Sequence, residues 1–200
     1  MGYTTVPDKT VGDLFSEAMW DTYIRDNFNS GVPVLFADTL LGAPAANIDI
    51  ASIPQTHAHL RVVAHLRSDT AATYTNAALR LNNDTAGNYD CQWITGQAAA
   101  AGATESLANT YAYLGLASGA TAPATVFTST VLDIIYYRGT AFQKTLSGQW
   151  AWKGGTVTNT LEAGIYSAFW RSASAINRIT ILPVAGNLIT GSRVSLYGMP

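Results

Sequence analysis

Charge is what this chain has least of. Only 12% of its 200 residues are charged, about half the usual share. Three of its eleven basic residues are lysines, and the net charge is −2. No basic run exists, so the electrostatic footprint that nucleic acid requires is missing. A free monomer keeps itself soluble with charge. Here Thr, Asn, Ser, Gly, Ala and Tyr must cover the surface, which suits a protein whose surface is largely occupied by neighbours. Cysteine is nearly absent: Cys91 stands alone, which excludes an internal disulfide framework and reads as a small core residue. Long apolar runs are absent too. Ala98–Ala103 is too short and too small-residued to span a bilayer. The opening MGYTTVPDKT lacks a basic and then an apolar region, so no signal peptide is expected, and Val6 breaks a myristoylation signal.

What is present is one helical stretch followed by strand signals. Thr10–Phe28 reads as the one long helix, with Thr10 or Asp13 as its cap. Val11, Phe15, Ala18 and Met19 cluster on one side. Trp20, Ile24 and Phe28 make a second stripe at i, i+4, i+8. A surface helix shows one apolar stripe. Two stripes imply cover on two sides, either from another subunit or from a groove in the chain's own sheet. Asn29–Pro33 ends the helix. The expected organisation is therefore an arm and helix over residues 1–33, serving anchoring and oligomerisation, and a β-sandwich over 34–200.

In the body, Thr56–Arg67 alternates with period two. Leu60, Val62, Ala64 and Leu66 take one face; His57, His59, Arg61, Val63, His65 and Arg67 take the other. Asn76–Leu81 and Tyr89–Thr95 read as a β-hairpin with a long polar tip, Asn82–Asn88. Gly96–Asn109 is rich in Ala, Gly and Thr and reads as loop. Val126–Tyr137, Ala141–Trp152, Val157–Trp170, Ala175–Leu182 and Leu188–Leu196 read as further strands. No helices alternate with them, so a parallel α/β sheet is excluded. The fold class is mainly β: an antiparallel, jelly-roll-like β-sandwich preceded by an N-terminal arm and one α-helix.

Catalytic signals are poor. His57 and His59, at i, i+2 on a strand, lie about 7 Å apart, and His65 follows on the same face. Two such histidines can hold a metal, but third and fourth ligands are needed, and no further histidine exists. The Asn82–Asp90 stretch offers oxygens to calcium, yet Asn, Asp and Gly are also what a tight hairpin tip needs, and the turn is the favoured reading. The body's acids, Asp38, Asp49, Asp69, Asp84, Asp90, Glu105, Asp133 and Glu162, are spread thinly, and no glycosidase pair can be placed. Nucleophile-elbow, phosphate-loop and dinucleotide patterns are missing. No enzyme, catalytic residue, metal or cofactor is expected. Trp150 and Trp152 share a face by period two. They are candidates for contact with a glycan or with another subunit, against the alternative of a sandwich core.

Three segments resemble those of tailed-bacteriophage virion structural proteins. TYIRDNF closes the helix, with Trp20, Arg25, Asp26 and Asn27 fitting. RLNNDTAGNYD carries Asn82 or Asn83, Asp84, Thr85, Gly87, Asn88 and Tyr89, with an extra Ala86. SRVSLYGM carries Ser195, Leu196, Tyr197 and Gly198. The resemblance spans nearly the whole chain through short motifs in a shared order. It implies a virion location as head decoration (cement) protein or tail-fibre-associated domain. It also implies a homo-oligomer, most often a trimer, bound to other virion proteins such as the major capsid protein, with no nucleic acid and no membrane as partner. Phe15, Met19, Trp20, Ile24 and Phe28 are then the expected oligomer or virion contacts. The leading expectation is a capsid decoration protein; the alternative is a tail or fibre-associated receptor- or glycan-binding module.

Overall fold

The computed structural model describes residues 16–25, 31–155 and 161–200. Much of the predicted helix, with Phe15 and Phe28, lies outside the described residues. Within them, Glu17–Met19 forms one α-helical turn, α1, and Trp20–Arg25 continues it as a π-helical turn. Such wide turns are rare and short. Ser16 caps the start: its Oγ accepts the Met19 N–H at 3.3 Å and its carbonyl accepts the Trp20 N–H at 3.0 Å, satisfying donors a helix start leaves open. Arg25 reaches Asp21 at 2.6 Å on the surface.

The remainder is mainly β, in two antiparallel sheets. The strands are β1 Val34–Leu40, β2 Ile48–Ile50, β3 His59–Leu66, β4 Tyr74–Leu81, β5 Tyr89–Gln97 and β6 Ala100–Asn109. They continue with β7 Ala112–Ser118, β8 Thr128–Ile134, β9 Lys144–Lys153, β10 Leu161–Trp170, β11 Ile179–Pro183 and β12 Arg193–Met199. The larger sheet has eight strands in the order β1-β12-β3-β8-β9-β10-β5-β6. The smaller has four, β2-β11-β4-β7. With the β5–β6 and β9–β10 hairpins set aside, eight strands remain, and they pair from the outside in. The first pairs with the last (β1·β12), the second with the second-last (β2·β11), then β3·β8 and β4·β7.

Period-two alternation builds the core between the sheets. Leu60, Val62, Ala64 and Leu66 of β3 are all buried, as their spacing predicts. They join Leu79 and Leu81 of β4, Leu114 of β7, Leu132 and Ile134 of β8 and Ile181 of β11 in one apolar cluster. The result is β-sandwich-like, with β7 buried along its whole length.

Three expectations change here. Asn76–Leu81 and Tyr89–Thr95 do not pair as a hairpin: the turn between them crosses from β4 in the smaller sheet to β5 in the larger. Gly96–Asn109 is not a loop. Ala100–Asn109 is strand β6, running antiparallel to β5 with Gln97 opposite Ala100 and Ile94 opposite Ala103. Its Ala and Gly residues carry little strand propensity, so ladder bonds to β5 decide its state. Ala98 makes the turn with a φ of 52°. Arg67 also leaves the outward row predicted for it. It lies just beyond β3, is 5% exposed, and donates to the carbonyls of Pro123 (2.5 Å), Val126 (2.8 Å) and Ala122 (2.8 Å). That caged guanidinium fixes the connection between β7 and β8.

Candidate functional site: a groove across the outer face of the large sheet

The face of the eight-stranded sheet that turns away from the core mixes short side chains with exposed aliphatic ones. Register places them in rows running across the strands. One row is polar: Arg61 lies opposite Asp133, Asp133 opposite Ser147, Ser147 opposite Ser167, and Ser167 opposite Gln92. The next row is mostly apolar: Val63, Val131, Gln149, Ile165 and Ile94 follow one another in the same way. Because serines and alanines stand where larger residues would fill the surface, two adjoining hollows open there. Their volumes are about 800 and 630 Å³, and they share Ile94, Val131, Gln149 and Ile165. Ile94 is 50% exposed and Ile165 58% exposed.

At the head of the polar row, the Arg61 guanidinium grips the Asp133 carboxylate with two bonds of 2.7 Å. This bidentate pair raises the Arg61 pKa, chiefly through the hydrogen bond to Asp133. It leaves the groove with no net charge. Ser167 Oγ donates to the Leu146 carbonyl at 3.3 Å, keeping its oxygen free to accept.

The floor is stiffened from beneath. Trp150 and Trp152, predicted as contacts for a glycan or subunit, are 3% and 4% exposed and lie in the core. That expectation is corrected: alternation along β9 turns both indoles inward and leaves Gln149 and Ala151 outside. Trp150 fits because two glycines make room. A Cβ on Gly164 would stand 2.2 Å from its ring, and one on Gly115 (φ +98°) 2.8 Å from it. Tyr113 meets Trp150 edge-on at 5.4 Å and stacks on Trp93 at 4.4 Å. Thr130 Oγ sits between Tyr166 Oη (3.2 Å) and the Leu114 carbonyl (2.9 Å).

Glu162 is the one acidic side chain buried among the described residues. It accepts from Trp150 Nε1 at 3.3 Å and Gln97 Nε2 at 3.1 Å. Burial raises its pKa, against the opposing Trp150 hydrogen bond. Among the described residues no second buried carboxylate faces it.

The other predicted residues are dispersed. Each histidine has its own aromatic partner: His57 with Phe36 (5.2 Å), His59 with Tyr136 (4.8 Å) and His65 stacked on Phe127 (4.7 Å). His59 Nδ1 accepts the Tyr136 N–H at 3.1 Å, and burial lowers the His65 pKa. No group of three metal-binding side chains occurs among the described residues. The Asn82–Asp90 stretch is a tied turn. Asp84 accepts from Trp170 Nε1 (2.7 Å), Asn88 Nδ2 (2.9 Å) and the Ala86 N–H (2.9 Å). Its oxygens point at donors rather than at space for a cation. Met19 is half-buried, Trp20 is 54% exposed and Ile24 is 37% exposed.

Among the described residues no helix is long and apolar enough to cross a membrane. Compared with protein-family models, curated proteins and solved structures, the chain matches none.

Proposed function

We propose that this chain is a non-enzymatic structural protein of a bacteriophage virion: a jelly-roll decoration or cement protein that binds the particle surface as a homotrimer. The observation that carries this reading is the outside-in pairing of eight strands across two sheets. A long antiparallel hairpin rolled up in this way is a jelly roll, an architecture recurrent in viral capsid proteins, lectins and cupins. Fold alone does not choose among these. The cupin branch is disfavoured because the three histidines are held apart on separate aromatic rings. The virion branch is favoured by the low charge and by the segments that resemble phage proteins.

Two of those segments have structural work in the fold. RLNNDTAGNYD carries the chain from β4 of the smaller sheet to β5 of the larger, with Asp84 capped by Trp170 and the Tyr89 hydroxyl accepting the Leu81 N–H at 2.9 Å. SRVSLYGM is β12, held between β1 and β3. They read as a signature of a shared scaffold rather than of a catalytic site. The stripe of Trp20 and Ile24, with Phe28 beyond the described residues, is the docking element in this reading, and residues 1–33 anchor the body.

Deleting residues 1–28 tests the proposal. The expected outcome is a body with an unchanged β circular-dichroism spectrum that no longer sediments with particles lacking their own copy. A truncated body that decorates particles at full occupancy overturns it. A second reading, a receptor- or glycan-binding module of the tail or fibre, is favoured by the open groove. Gold-labelled antibody on intact particles separates the two by marking head or tail.

A further inference from the structure

We infer that the groove on the outer face of the large sheet binds a neutral, hydroxyl-rich oligosaccharide lying across the strands. The inference rests on the groove alone and holds wherever on a particle the protein sits.

Charge selects the ligand class first. Among the described residues, Arg61 and Asp133 are the only ionised side chains lining the two hollows, and they neutralise each other. A phosphate, sulfate or carboxylate ligand would find no net positive charge there. The other outward polar side chains, Ser129, Ser147, Ser167, Gln92 and Gln149, are hydroxyls and amides, each able to donate and accept. Sugar hydroxyls have the same dual character. A partner offering only acceptors or only donors would leave half of this inventory unpaired.

The geometry fits a chain of sugar rings. The polar and apolar rows run side by side, so a ligand laid along them meets hydrogen-bonding groups on one flank and Val131, Ile165 and Ile94 on the other. A pyranose ring has both surfaces: hydroxyls at its rim and a C–H face. The rows cross β3, β8, β9, β10 and β5. Successive strands are about 4.8 Å apart, close to the advance of one sugar unit along a chain, so neighbouring units can repeat similar contacts on neighbouring strands.

The groove has no exposed indole to stack on, since Trp150 and Trp152 face the core. Affinity at a single site is therefore weak, about millimolar. Many copies displayed on one surface would turn such sites into firm attachment through avidity.

The test uses isotope-labelled full-length protein titrated with maltohexaose, cellohexaose or chitohexaose, with a heparin hexasaccharide as the anionic counterpart. The expected result is saturable amide and side-chain NH₂ shifts at Gln92, Ser147, Gln149 and Ser167 with at least one neutral hexasaccharide, and none with heparin. Ser147→Arg, which fills the groove, and Gln149→Ala should each weaken binding about tenfold without changing the near-UV spectrum of the aromatic core. The proposal is overturned by absence of shifts with all three neutral sugars up to roughly 20 mM, or by shifts centred elsewhere. Heparin binding of equal strength overturns it too. Groove shifts that grow with protein concentration and no sugar also overturn it, because they would place a second copy of this chain in the groove.

Discussion

The two faces of the large sheet come from the same strands, yet they are chemically unlike. On β9 and β10 the inward positions carry Leu146, Trp150, Trp152, Tyr166 and Trp170, all nearly inaccessible. The outward positions carry Ser147, Gln149 and Ala151 on β9 and Leu161, Ala163, Ile165, Ser167 and Phe169 on β10. All the aromatics of the two strands but Phe169 lie on the inner side, and the outer side mixes serine and glutamine with exposed aliphatic residues. The inner face contributes stability through burial. The outer face contributes little, and is free to serve recognition.

That contrast can be broken most forcefully at Trp150. Trp150→Ala removes a buried indole clamped by Gly115 and Gly164 and should cost about 3–5 kcal/mol, read as a lower urea midpoint. Gly164→Ala attacks the same packing from the opposite side. Its new Cβ would meet the indole at 2.2 Å, and about 1–3 kcal/mol of overpacking should follow. On the outer face, Arg61→Ala breaks an ion pair whose side chains are 42% and 33% exposed. The loss should stay below about 1 kcal/mol. Gln149→Ala, one residue from Trp150, should change stability by less than about 0.5 kcal/mol. If Gln149→Ala destabilises as much as Trp150→Ala, the division of labour between the faces is wrong.

The smallest effect per group is a titration. Asp38 is held at about 2 by hydrogen bonds from Arg193 and then Ser195. Arg178 lowers Asp49 and Arg171 lowers Asp90. Their folded pKa values lie below the ordinary 3.8, so their contribution is present above that pH and is lost as pH falls toward 2. Glu162 runs the other way. Burial lifts its pKa above 4.5, so acidification from neutrality down to that value adds a little stability. His65 opposes this, because burial holds its pKa below 6.5 and acidification through that value removes stability. Urea midpoints should therefore change little down to about pH 4.5 and then fall. In Glu162→Gln only the His65 loss remains, so its midpoint should decline over that range; a Glu162→Gln profile parallel to the parent's would contradict the buried Glu162.

The outer edges of the large sheet repeat the lesson on a smaller scale. β1 follows Pro33, carries a register shift between Leu35 and Ala37, and ties Asp38 to Arg193. Those are devices that blunt an edge. β6 has almost no such features. Its Ala-Gly-Ala-Thr run looked like loop, because a strand made of small residues exists only by virtue of the ladder beside it. The groove was illegible for a related reason. Ser147, Gln149, Ser167 and Gln92 lie far apart in the chain and are individually unremarkable. Only register sets them in one row. The aromatics Trp150 and Trp152 did signal the right strand, and alternation then put them on its other face.

By itself, the sequence determined the strand-rich class, the spacing of most strands, the inward set Leu60, Val62, Ala64 and Leu66, and the turn at Asn82–Asn88. These follow from local periodicity and turn chemistry, which the chain encodes residue by residue. Tertiary structure alone decided which strands pair, where Arg67 and the histidines are held, and that β6 is a strand at all. On β9 it also decided which of two alternating faces became core. Each of those depends on contacts between residues distant in the chain, and period two specifies that there are two faces without saying which one the second sheet will cover.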